Sequence, residues 1–180
     1  MRLAYLSVAL LALLALLGGC SSGPAAPTLE SGTMLVRPMG NWTYGATPRY
    51  ALAEQYQFAG ELAEGWLEPM QQAVSRELNS KGWQSAPLDE ADLWVAIGVA
   101  GGKDISDGEI FARLGMTPGV YASANQRKGS LAIVLLDRKT QKAVWSSIIQ
   151  LTSDVSIADS QRQALSQQLA AELLNRVPTN

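Results

Sequence analysis

An α+β domain is what this sequence predicts: a mostly antiparallel, mixed β-sheet with two main helices packed on one face, preceded by a signal peptide and a flexible tether. Three observations predict it. Segments of alternating or unbroken apolar character interleave with segments of helical periodicity, without the regular spacing that repeated βαβ units need. Two apolar runs, 130–136 and 143–151, flank a polar segment in the pattern of a hairpin. Two helical stripes, 60–81 and 156–177, each run into a stop signal, Lys81-Gly82 and Pro178.

The first element is not part of that domain. Met1-Arg2 makes a basic start, residues 6–17 are almost all Leu, Ala and Val, and Gly18-Gly19-Cys20 follows. A basic start, a short apolar core and small residues before a cut describe a secretory signal peptide. The core is shorter than the ~20 apolar residues a spanning helix needs. A cysteine directly after the small residues is what a lipoprotein signal peptidase requires, because its thiol carries the diacylglycerol. A rival reading takes Gly19-Cys20-Ser21-Ser22-Gly23 as the G-x-S-x-G elbow of a serine hydrolase. That elbow needs a strand before it, a helix after it and a histidine base. Here a signal core precedes, a Gly/Pro/Ala segment follows, and the chain has 0 histidines.

The expected organisation is therefore a cleaved leader at 1–19, a lipidated tether at 20–32 and one domain at 33–180. Acyl chains on Cys20 anchor through ~0.8 kcal/mol per buried methylene. Ser21, where an Asp would favour retention at the inner membrane, directs the expectation to the periplasmic face of the outer membrane. The tether (SSGPAAPTLESG) is small and Pro/Gly-rich. It reaches up to ~40 Å when extended. Cys20 is the only cysteine, so no disulfide forms within the chain and the fold holds by packing. With 14 Lys+Arg against 16 Asp+Glu, no basic excess draws nucleic acid.

Along the domain, 33–38 reads as a strand ended by Pro38. Residues 40–58 are aromatic and irregular, a loop with room for a second strand. In the first helix Leu67, Met70, Val74 and Leu78 share a face, and Pro69 either kinks the helix or sits in its first turn. Trp83-Gln84-Ser85 is a short strand. In 92–100, Leu93, Val95, Ile97 and Val99 face one way and Trp94, Ala96 and Gly98 the other. Ser106 and Glu109 form a capping box opening a helix to about Leu114, broken at 116–119. The run 130–136 is apolar on both faces, as a central strand is. Residues 137–142 turn, and 143–151 answers with Trp145, Ile149 and Leu151 inward. A second capping box, Ser156 to Asp159, opens the last helix, with Leu165, Leu169, Leu173 and Val177 on one stripe.

Most site chemistries are missing. Zero histidines exclude Ser-His-Asp and Cys-His catalysis and histidine-built zinc sites. There is no S-x-x-K dyad, Walker A loop or G-x-G-x-x-G. No catalytic residue, cofactor or metal site is expected beyond the covalent lipid on Cys20. Asp89, Glu90 and Asp92 could pair as glycosidase carboxylates, but charges in a turn entering a strand are ordinarily just solvated. Asp104, Asp107 and Glu109 miss the calcium-loop spacing, and capping accounts for Ser106 and Glu109. Asn41-Trp42-Thr43 matches a glycosylation acceptor, without meaning in a bacterial lipoprotein. The candidate interaction surface is the aromatic group Trp42, Tyr44, Tyr50 and Tyr56, residue types enriched at interfaces and lying outside strong periodicity. The competing reading makes them ordinary core at one end of the sheet.

The stretch 129–145 (GSLAIVLLDRKTQKAVW) resembles the G-T-L-x-I-D-L-V-D-x-x-T-G-K-x-V-W hairpin of the envelope lipoproteins of domain of unknown function 4136. Three further stretches are similar to that family in the right order: Ala73-Val-x-x-Glu-Leu-x-x-Lys-Gly-Trp83, Ala91-Asp-Leu-Trp-Val-Ala96 and Leu173-Leu-x-x-Val-Pro178. The resemblance implies fold and location and transfers no catalytic residue. Three positions depart from the pattern. Val134 replaces a usual Asp, Gln141 the usual turn Gly, and Ser146 a frequent Arg. Gln in a left-handed turn costs ~1 kcal/mol, so a longer turn or one of another type is the alternative.

The functional expectation is a non-enzymatic outer-membrane lipoprotein that binds an envelope protein or peptidoglycan through a sheet edge or the aromatic loop. A carrier enclosing an apolar ligand or lipid is the second reading. A carboxylate-based glycan hydrolase is the third.

Overall fold

The computed structural model describes residues 31–60, 63–100, 129–151 and 159–178, together with residue 112. The leader, the tether up to residue 30, the capping box at Ser106 and Glu109 with all of the helix it opens but residue 112, and Ser156 lie outside the described residues. The elements are β1 (Ser31–Pro38), β2 (Arg49–Ala59), α1 (Glu64–Ser80), β3 (Gln84–Ser85), β4 (Leu93–Ala100), β5 (Gly129–Asp137), β6 (Ala143–Leu151) and α2 (Asp159–Leu174).

The six strands form one sheet in the order β1-β6-β5-β4-β2-β3. The pairs β1/β6, β6/β5 and β5/β4 are antiparallel, whereas β2 lies parallel to both β4 and β3. The parallel half follows from α1, which carries the chain back over one face between β2 and β4. The aromatic segment thus holds a full strand, β2, and the first strand starts at Ser31, two residues before the sequence placed it.

Helix α1 is one continuous helix through Pro69. Proline has no N–H for the carbonyl four residues back, which belongs to Gly65. Arg162 Nη1, from α2, donates to that carbonyl at 3.2 Å and takes the missing donor's place. The same side chain pairs with Asp159 in the first turn of α2. At its far end α1 closes as a Schellman motif: Trp83 N–H donates to the Leu78 carbonyl (3.1 Å) and Gly82 N–H to that of Asn79 (2.9 Å). Gly82 has φ of +84°, a conformation a β-carbon penalises. Leu78 and Trp83 are both buried, which supplies the apolar contact of the motif.

Both helices cover one face of the sheet. Trp66, Met70, Ala73, Val74 and Leu78 of α1 and Leu165, Leu169 and Leu173 of α2 pack on Leu93, Val95, Ile97, Leu131, Ile133, Leu135, Trp145 and Ile149. The predicted stripe is shifted slightly: Leu67 is only half-buried and Trp66 and Ala73 take its place. The other face carries Ala96, Ala132, Val134, Leu136 and Ile148, all buried, with Tyr56, Phe58 and Trp94 packed against them. Burial on both sides explains why β5 reads as an unbroken apolar run.

β2 leaves regular register between two pairs, Leu52↔Val95 and Gln57↔Ile97. The strand bulges over 53–56, which takes ladder partners from nearby carbonyls. Gln57 Nε2 restores them, donating to Val95 (2.8 Å) and Ala53 (3.1 Å) carbonyl oxygens.

Candidate functional site

The chemistry-bearing side chains gather at one end of the sheet, where the β5–β6 turn meets the starts of β2 and β4. Asp137 closes β5 and is the hub. Its Oδ1 accepts the Thr140 N–H at 2.7 Å, a local bond that shapes the turn. Its Oδ2 accepts the Tyr44 hydroxyl at 2.8 Å, clipping the β1–β2 loop to the hairpin. Burial raises the Asp137 carboxyl, but the hydrogen bonds from Thr140, Tyr44 and the Lys139 backbone outweigh it and hold the group below its ordinary value. Burial, reinforced by the bond to Asp137 and its charge, pushes the Tyr44 hydroxyl far above the usual phenol range.

Beside this clip, the Trp42 ring meets Tyr44 edge-on at 5.1 Å and Trp83 at 5.8 Å. Trp42 Nε1 donates to the Gly45 carbonyl at 2.7 Å, folding the loop on itself. Trp42 and Tyr44 are half-buried and present a mixed aromatic and hydroxyl surface, while Trp83 beneath them is buried with its indole N–H unpartnered. The arrangement can offer a stacking ring and a fixed anionic oxygen.

The four predicted aromatic residues do not form one surface. Trp42 and Tyr44 meet, but Tyr50 is only 1% exposed and belongs to the helix-side core. Its hydroxyl donates to Asn79 Oδ1 at 3.0 Å and lies 3.2 Å from the Ser75 carbonyl, joining β2 to α1. Tyr50 is therefore corrected from interaction surface to core. Tyr56 sits with the cluster on the opposite face of the sheet, its ring 6.2 Å from Trp94. The bulge in β2 separates the two tyrosines onto different faces, which sequence periodicity gives no means to foresee. Cys20 lies outside the described residues.

The candidate carboxylates are engaged in structure. Asp92 Oδ2 accepts the Arg49 N–H at 2.9 Å, while Asp92 N–H donates to the Arg49 carbonyl, also at 2.9 Å. The Arg49 guanidinium lies 3.7 Å from Asp92 and 3.9 Å from Glu90, whose side chain is 61% exposed. Arg138 Nε donates to the Ala91 carbonyl at 2.7 Å. Asp92 thus staples the start of β4 to that of β2 in an open setting, its side chain 43% exposed. Among the described residues, no three of His, Cys, Asp and Glu come together in a group able to hold a metal ion. No described helix is long and apolar enough to cross a membrane.

Two departures from the family pattern turn out to be one. Val134 and Ser146 are direct cross-strand partners on the buried face away from the helices. An Asp and an Arg at these positions would face each other as an ion pair. Here both charges are absent together, which strands neither. Sequence reading missed Asp137 as the hub, although Asp opening a hairpin turn is a residue whose side chain readily bonds nearby backbone N–H groups.

The sequence profile described as Domain of unknown function (DUF4136) matches residues 41–179. No curated protein matches. Among solved structures, the chain is similar to a leucine-to-methionine variant of the PelC dodecamer from Paraburkholderia phytofirmans, with a TM-score of 0.52 and 12% identity over 83% of this chain and 99% of that one. It is also similar to a DUF4136 family protein from Bacteroides thetaiotaomicron, with a TM-score of 0.46 and 12% identity over 83% of this chain and 97% of that one. At 12% identity the likeness to PelC is one of fold.

Proposed function

We propose a function from one premise: the chain belongs to the DUF4136 family, a domain of unknown function. It is a non-enzymatic lipoprotein, anchored by acyl chains on Cys20 to the periplasmic face of the outer membrane, that works by association rather than by turnover. The observation that carries this reading is the use made of the carboxylates. Asp92 and Asp137 are bound to backbone N–H groups and hold strands and a turn in place. Carboxylates that hold backbone N–H groups in this way have a structural use, which supports association over turnover. The half-exposed Trp42–Tyr44 surface supports binding of an envelope protein or polymer. The PelC neighbour is a dodecamer, which supports an association role in which copies of the chain meet one another.

The test is labelling in a Gram-negative host with a palmitate analogue, followed by density-gradient separation of the membranes. Wild type should carry label at Cys20 and sediment with the outer membrane, and Cys20→Ser should be unlabelled. A labelled Cys20→Ser chain, or a wild type that keeps residues 1–19, defeats the anchor. Trp42→Ala in the same host should lose envelope cross-links that wild type makes, and unchanged cross-links would defeat the aromatic surface.

A further inference from the structure

The two edges of the sheet are built differently. At one edge β3 is only two residues long and runs into Pro87, with Ala86 N–H bound to the Tyr50 carbonyl. Beyond Tyr50, β2 bulges, and Gln57 occupies the Ala53 carbonyl. That edge is blunted in the way sheets avoid unwanted pairing. The β1 edge is not. Met39 N–H donates to the Val144 carbonyl at 2.9 Å, so by antiparallel alternation Leu35 and Arg37 also aim their backbone groups at β6. Met34, Val36 and Pro38 then aim theirs outward. Pro38 falls on the outward side, where its missing N–H takes nothing from the ladder.

Among the described residues, no strand pairs with that edge. Met34 and Val36 pack on the helix-side core and Leu35 on the opposite cluster, each only half-buried. Both apolar layers therefore end at β1 with surface still showing.

We propose that β1 is a self-association edge: β1 of a second copy pairs antiparallel with it about a twofold axis at Val36. This names the partner in the association proposed above and rests on that reading. The outward positions are symmetric about Val36, so Val36 of one copy faces Val36 of the other and Met34 faces Pro38. Val36 exchanges both backbone bonds across the axis, and each Met34 N–H finds a Pro38 carbonyl. Met34 and Val36 join across the helix-side face, making that apolar layer continuous. Arg37 comes opposite Leu35 and not opposite its own copy, so like charges are not directly opposed. The chain outside the described residues fits the arrangement. Antiparallel pairing sets the two Ser31 residues about 33 Å apart at about 3.3 Å per residue. The run from Cys20 to Ser31 spans up to ~37 Å when extended, so both anchors reach one bilayer. A shared surface raises the effective concentration of a weak edge contact. Using the one regular edge on each copy, this contact joins copies two at a time.

The experiment uses the full chain carrying Val36→Cys, oxidised in isolated membranes and again after detergent extraction, with wild type as the control for Cys20. Cα atoms of such a pair lie about 5.5 Å apart, within disulfide reach. Val36→Cys alone, and Met34→Cys mixed with Pro38→Cys, should give linked homodimer about tenfold above Ser85→Cys on the β3 edge. Val36→Pro, which removes the outward N–H along with the valine side chain, should lower native dimer about tenfold relative to Val36→Ala, with circular dichroism matching that variant. Equal yields at positions 36 and 85, a link from 36 to a different polypeptide, or a position-36 thiol that stays monomeric overturns the proposal. In the last case a maleimide separates an open edge from one covered by the chain itself. Palmitate labelling on the same samples keeps the readings apart. An unlabelled chain that still links at 36 defeats the anchor and keeps the edge; a labelled chain that stays monomeric defeats the edge alone.

Discussion

Replacing Gln141 with glycine should stabilise this domain. Gln141 has φ of +56°, the only non-glycine among the described residues with positive φ. Holding an L-residue in the left-handed region costs about 1–2 kcal/mol. Glycine avoids that cost but has more freedom to lose on folding, which offsets about 0.5–1 kcal/mol of the gain. The turn itself does not depend on the glutamine side chain, which is exposed. It is held by Gln141 N–H to the Asp137 carbonyl (2.7 Å), Asp137 N–H to the Lys142 carbonyl (2.9 Å) and Thr140 N–H to the Asp137 carboxylate (2.7 Å). The net expectation is a gain of about 1 kcal/mol, or roughly 2–4 °C in Tm for a domain of this size. Urea and thermal melts of wild type, Gln141→Gly, Gln141→Asn and Gln141→Ala measure it. Asn should fall between Gly and wild type, because its short side chain tolerates the left-handed region, and Ala should match wild type. If glycine proves no more stable than alanine at this position, the strain argument is wrong.

Other perturbations test other parts of the account. Val134→Asp should cost about 3–5 kcal/mol by leaving a buried charge alone, and adding Ser146→Arg should recover a good part of it in a double-mutant cycle. Additive losses would mean the pair does not meet across the strands. Gln57→Leu should cost about 1–3 kcal/mol in denaturant melts, because the Val95 and Ala53 carbonyls lose their donor; a neutral change would show that the bulge satisfies them otherwise. Asp137 has a depressed folded pKa, so its stabilisation is present above the ordinary carboxylate range and lost as pH falls below it. Asp137→Asn should flatten the melting temperature in that acid window only. Tyr44 has a raised folded pKa, so its contribution holds below pH 10.0 and is lost as pH rises beyond it; Tyr44→Phe should flatten the alkaline limb.

Of the candidate site, residue types were legible and grouping was not. Trp42 and Tyr44 drew notice because aromatics in an aperiodic stretch are unusual, and they do share a surface. Tyr50 and Tyr56 carried the same signal, yet one enters the core and the other crosses to the far face. Nothing within a few residues of either encodes the bulge at 53–56 that parts them. Asp92 looked like a solvated turn residue and is a strand staple, because its partner Arg49 lies far off in sequence.

Short-range physics is what the sequence by itself settled. The alternation along β4, the doubly apolar β5, the hairpin and the glycine stop of α1 each depend on neighbours within one or two turns, and each stands as written in the chain. Tertiary structure alone decided that β4 takes a parallel partner, that Arg162 supplies the donor Pro69 lacks, and that Val134 faces Ser146. Those facts are choices among distant partners. A chain with no long-range pairing yet made holds the residues for them but not the register that brings them together.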